Sequence, residues 1–225
     1  MNTNSTFRDI TGRTKLLKIL LGAGAVWALV SLFSAWLQFE LLSRGSFSQS
    51  EGQANDTRQQ IIGLVYLLIY VITVIVFAMW IFRANHNVRA LGAQDMRITP
   101  GWAVGYFFVP IVNLWRPYQA MKDLWRASKS PTAWHDISPS SILGLWWTLW
   151  IASNVLGQAS FRASMGVHDI SSLQAATITG MISDVVDVAL CIVAFILVSQ
   201  IYESQISQKA PNTARGCVKS SAQRG

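Results

Sequence analysis

The sequence predicts an all-α integral membrane protein, with four transmembrane helices plus a re-entrant or interfacial helical hairpin on the cytoplasmic side. Three observations lead there. Hydrophobic residues make up 52% of the 225 and charged residues only 13%, with a mean hydropathy of +0.35, too apolar for a soluble domain in which about a quarter of the residues are charged. Several apolar runs approach the roughly 20 residues a helix needs to cross a hydrocarbon core about 30 Å thick. Lysine and arginine are unevenly shared among the connections between those runs.

Residues 1–18 form a basic arm carrying Arg8, Arg13, Lys15 and Lys18, and residues 19–207 read as a single membrane domain. The first span, about 19–37, is ILLGAGAVWALVSLFSAWL. Its length and the missing A-x-A-like exit predict an anchor rather than a cleaved leader. Gly22, Gly24 and Ala28 put small residues along it, a pattern that lets helices approach closely. The second span, about 61–82, has no charge in 22 residues. The third, about 140–160, includes ILGLWWTLWIASNVLG, and the fourth, about 180–202, carries Asp184 and Asp187 near its start. Trp36 and Trp80 fit interfacial belts, whereas Trp146, Trp147 and Trp150 are expected to pack between helices. The polar, aperiodic residues 208–225 are expected to be a disordered basic tail. Cys191 and Cys217 are badly placed to bridge each other, so no disulfide framework is expected.

Orientation follows from charge. Fifteen of the eighteen lysines and arginines lie in the arm, the tail and the long connection from Arg83 to Lys129, and three lie in the other two loops. Positive residues favour the cytoplasmic side, so both termini are expected there. A fifth span at Gly101–Leu114 would carry Lys122, Arg126 and Lys129 outside and erase the asymmetry. Its apolar run of about 14 residues suits a segment that dips into the membrane and returns. Pro110 removes a backbone donor and disfavours helix at Val109, which locates the bend. Asn113 and Pro117 then suit the start of a second helix, with Tyr118, Met121, Leu124 and Trp125 opposite Gln119, Lys122, Asp123 and Arg126. The hairpin, residues 100–128, is expected to place that helix in the interface with its cations toward headgroups.

The same stretch carries a resemblance. Arg83, Asn87, Ala90, Leu91 and Gly92 are followed by Pro100, Gly101 and Trp102, then Phe108, Pro110, Asn113, Leu114, Pro117, Met121, Leu124 and Trp125. This succession resembles the signature of bacterial multi-pass membrane proteins with the domain of unknown function 4328. The strong match covers about a fifth of the chain. The resemblance implies a bacterial cytoplasmic membrane protein with several spans, and it implies no activity.

Two constellations could carry chemistry. Arg83, Asn85, Asn87 and Arg89, together with Asn113 and Arg116, could hold a lipid headgroup or phosphorylated ligand, since arginine binds phosphate bidentately. The plainer reading is positive-inside charge, with Asn85 and Asn87 capping the free amides of the turned-back segment. Asn154, Gln158 and Arg162, at helical spacing, and Asp184 and Asp187, at i and i+3, could form an intramembrane polar cluster with Arg162 paired to an aspartate. The plainer reading leaves both aspartates solvated in the interface. No nucleophile and base, catalytic carboxylate pair or metal-ligand spacing stands out among these residues, so neither an enzyme nor a cofactor is expected. The expected partners are the bilayer and its anionic headgroups, with a homo-oligomer or an unidentified membrane protein as further candidates. The net charge of +7 gives little reason to propose nucleic acid in so apolar a chain. A non-enzymatic membrane module is the first expectation, and an oligomeric channel or transporter using Asp184 and Asp187 is the alternative.

Overall fold

A computed structural model describes the backbone of residues 6–222 and the side chains of residues 6–209. Among these residues every regular element is a helix: α1 (Thr11–Ser43), α2 (Gln49–Ala90), α3 (Pro100–Gly105), α4 (Arg116–Lys129), α5 (Ser141–Met165) and α6 (Ile170–Ala222). Short 3-10 turns cover Val112–Leu114 and Trp134–Asp136.

Three helices, α1, α2 and α6, are long and apolar enough to cross a membrane. At about 1.5 Å per residue, the 25-residue α5 is long enough as well. Three tryptophans, Ser153, Asn154 and Gln158 dilute its hydropathy. The long helices exceed the expected spans because polar flanks join them through side-chain caps. At the start of α2, Ser48 Oγ and the Ser48 amide both donate to Glu51 Oε2 at 2.8 and 2.7 Å, and the Glu51 amide donates back to Ser48 Oγ at 3.3 Å. This reciprocal capping box recruits a polar first turn into the helix. Asp169 does the same for α6, accepting the Ser172 amide at 2.7 Å. The expected tail from residue 208 falls largely outside the described side chains, although helix is assigned as far as Ala222.

The chain divides into two compact units. The first contains the described residues up to Lys18, Ile75–Gly144, and the described residues from Ile196 onward. Its core gathers Leu17, Val88, Met121, Leu124, Leu197 and Ile201. Trp80, expected in an interfacial belt, is fully buried there, and its indole N–H donates to Thr14 Oγ1 at 3.0 Å. The hydroxyl explains the inward position, since a buried indole needs an acceptor. Gln205, also fully buried, donates to the Ala84 carbonyl and Ser128 Oγ, both at 3.1 Å, joining α6 to α2 and α4.

The second unit contains Ile19–Val74 and Leu145–Phe195. Here α1 meets α6 closely at Gly24, where an added Cβ would lie 3.3 Å from Cys191 Sγ, and Ala28 is buried one turn on. The Trp27 indole N–H donates to the Ile62 carbonyl at 3.1 Å. Outward from this packing, Leu64, Leu67 and Leu68 are exposed. Only 6% of the most apolar stretch of α2 is buried, so that surface requires apolar surroundings such as lipid tails.

Candidate functional site

The stretch from Thr99 to Lys129 begins with a capped turn. Thr99 Oγ1 accepts the Trp102 amide at 3.4 Å and Pro100 fills the first helical position of α3, where its missing N–H costs nothing. Helix stops at Gly105, and the break expected near Pro110 follows. The Val112 amide reaches back to the Pro110 carbonyl at 2.7 Å around Ile111, whose φ is +67°. That is a γ-turn of the strained, positive-φ kind, an outlier for a β-branched residue. The chain re-enters helix at Arg116, with Pro117 in the first turn of α4.

α4 is amphipathic. Met121, Leu124 and Trp125 are buried in the first unit, and the Trp125 indole N–H donates to Gln200 Oε1 at 3.3 Å. Asp123, expected on the polar face, is buried too. Burial pushes its carboxyl up, opposed by the positive charges of Lys122, Arg97, Arg126 and His135. Three cations lie over aromatic rings: Lys122 Nζ is 5.8 Å from the Tyr118 ring centre, Lys129 Nζ 5.5 Å from Trp125 and Arg116 5.7 Å from Tyr106. Arg116 is exposed and also donates to Gln119 Oε1 at 3.2 Å. Asn113 is half-buried, and its amide donates to the Val109 carbonyl at 3.0 Å. The bend itself is apolar and bare: Ile111 is 72% and Phe108 66% exposed, and Trp102, Leu114 and Trp115 are exposed beside them.

At the end of α2 the expected capping has a different recipient. Asn87 is fully buried, accepts the Arg8 amide at 3.0 Å and donates to the Arg8 carbonyl at 2.9 Å. It therefore caps the N-terminal arm and not the turned-back segment. Asn85, also buried, accepts from Arg89, whose other nitrogen donates to the Ile98 carbonyl at 2.6 Å. Asn85 and Arg89 thus pin the loop after α2. Arg83 stays half-exposed, and burial, Arg13 and Arg8 all hold its guanidinium below the usual arginine range. His86 sits beside it. Burial, Arg8, Arg83 and Arg89 depress its imidazole, and Nδ1 has no hydrogen-bond partner among the described residues. This electropositive collar could take an anionic group through the half-exposed Arg83.

In the second unit, Asp187 accepts from Tyr66 at 3.1 Å and from Ser153 at 2.5 Å. Asp184 is buried with Ser31 as its hydrogen-bonding neighbour. Asn154, Gln158 and Arg162 are exposed and line a different face of α5. Asn154 donates to its own helix, at the Trp150 carbonyl, 2.7 Å away. The expected pairing of Arg162 with an aspartate does not form among the described residues. Both aspartates line a cleft of about 540 Å³ with Tyr66, Ser31, Ser183 and Phe161. Near it, Gln38 donates to Thr177 at 2.9 Å, and Arg58 bonds Ser34 and Asn55 at 2.9 and 2.6 Å. Sequence reasoning missed Tyr66 and Ser153. Tyr66 is one of two hydroxyls, with Tyr70, in the apolar run IIGLVYLLIY, and Ser153 is the neighbour of Asn154, about 100° around the helix.

The family model described as Domain of unknown function (DUF4328) matches residues 44–203, which includes α2 through most of α6. No curated protein and no solved structure matches the chain.

Proposed function

We propose a role for this protein from its membership: the chain belongs to the DUF4328 family, a domain of unknown function. It acts as a non-enzymatic, multi-pass module of a bacterial cytoplasmic membrane. Four helices cross the bilayer, α5 being the fourth. The termini and the connection from Arg83 to Lys129 face the cytoplasm, and the hairpin around Pro110 inserts into the cytoplasmic leaflet. There it anchors a surface that takes anionic headgroups and assembles with a second copy or another membrane protein.

One observation carries this reading: the bend presents Phe108 and Ile111 bare, flanked by exposed tryptophans and by cations lying over aromatic rings. Such a surface is costly in water and favourable at the boundary between headgroups and acyl chains, where tryptophan and tyrosine concentrate and cations reach anionic lipid. Bent backbone at that depth needs protein around it, and α4 supplies it by packing into the first unit. The cationic distribution along the sequence favours the cytoplasmic leaflet.

The test is depth. A spin label at Ile111→Cys, with Cys191 and Cys217 replaced by alanine, should collide with oxygen more than with a water-soluble nickel chelate in reconstituted bilayers. Preferential collision with the chelate would put the bend in water and end this reading.

A further inference from the structure

The cleft of the second unit has no role in the hairpin reading, and its lining is acidic. Two carboxylates, Asp184 and Asp187, reach it, and no lysine, arginine or histidine lines it. Tyr66, Ser153 and Ser31 give these carboxyl groups hydrogen bonds but no opposite charge, so a charge on them among membrane helices calls for a counter-ion. Ser183 gives an independent pointer to a ligand. It is only 8% exposed, lines the cleft, and its hydroxyl has no hydrogen-bond partner among the described residues. A hydroxyl open to the cleft, on a residue otherwise buried and beside two carboxyl groups, suits a polar ligand that hydrogen-bonds to it.

We infer that this cleft binds an ammonium group, with Asp184 and Asp187 supplying charge, Ser183 and Ser31 accepting its N–H bonds, and Tyr66 and Phe161 offering ring faces. Size and composition select that class. A volume of about 540 Å³ falls in the range of small-molecule pockets and far exceeds a bare ion. No group of three or more metal-ligating side chains occurs among the described residues, which disfavours a divalent metal. Aromatic rings beside carboxylates attract organic cations by charge and by ring quadrupole together. The ammonium can arrive free, as a soluble amine, or on a lipid, as an ethanolamine headgroup.

The full-length protein, purified in detergent, is melted against ethanolamine hydrochloride and against sodium chloride at equal ionic strength. It is then melted in nanodiscs of phosphatidylethanolamine or phosphatidylglycerol. Ethanolamine should raise the melting temperature with saturation in detergent if a free amine suffices. Stabilisation confined to phosphatidylethanolamine discs identifies the lipid-borne source. In either case Asp184→Asn and Asp187→Asn should weaken the effect about tenfold or more, as loss of a buried charged partner does. Should those variants fail to fold, Tyr66→Leu should weaken it while Tyr66→Phe, which keeps the ring, largely retains it. The inference is overturned if neither amine source stabilises the protein, if sodium chloride does so equally, or if the asparagine variants respond as the parent does. None of these outcomes depends on the depth of the hairpin.

Discussion

Asn87 shows how one side chain can decide where a segment lies. Its amide closes both backbone groups of Arg8, so Asn87→Ala leaves a donor and an acceptor without partners. The expected loss is about 1–3 kcal/mol of stability, with faster proteolysis of the arm ahead of α1; unchanged digestion would count against the clamp. Asp123 gives a second prediction, one that depends on pH. Burial raises its carboxyl above the ordinary 3.8, so the folded state favours the protonated acid. That contribution is fully present below the ordinary value and is lost as pH rises through the raised folded one. Asp123→Asn cannot ionise, so it should melt with the parent near about pH 3.5 and above it at about pH 8. A constant difference at both would refute the account. The identities of these residues were legible in the sequence and their partners were not. Asn87 stood out as a polar residue topology does not require, but a clamp on Arg8, 79 positions away, is set by tertiary packing. The same limit applies to Arg162, which is exposed and unpaired with either aspartate among the described residues, because i, i+4 spacing fixes a shared face but not which way the face turns.

Among elements, α1 makes the sharpest contrast. Gly24 sits against Cys191, whereas an added Cβ at Gly22 would meet nothing within 4 Å. Gly24→Leu should therefore destabilise the packing of α1 on α6 by roughly 1–3 kcal/mol or more, and Gly22→Leu should be nearly silent. Equal effects in thermal melts would show that Gly24 has no special contact. At the start of α2, Ser48→Ala should cost about 1 kcal/mol and speed hydrogen exchange over the first turns, since it removes the cap that draws the polar flank into the helix. The apolar cores of these helices were legible from hydropathy. Their full lengths were not, because Ser48, Glu51 and Asp169 act through side-chain geometry that a hydropathy window ignores. The bend at Pro110 was legible from proline chemistry alone. The γ-turn at Ile111 was not, since nothing in a β-branched residue announces a positive φ.

For the whole molecule, the all-helical class follows from composition, and the family from a string of residues at fixed spacing between Arg83 and Trp125. The number of crossings rests on α5, long enough but diluted by polar and indole side chains. Sidedness rests on charge: an odd number of crossings would separate the termini, while four keep them together with the hairpin. One measurement tests this directly. Single cysteines replacing Ser46, Lys129 and His168, in a background with Cys191 and Cys217 changed to alanine, are exposed to an impermeant maleimide on intact bacterial cells. Ser46→Cys and His168→Cys should label at once, and Lys129→Cys only after permeabilisation. Labelling of Lys129→Cys from outside intact cells would contradict the topology and the hairpin reading together.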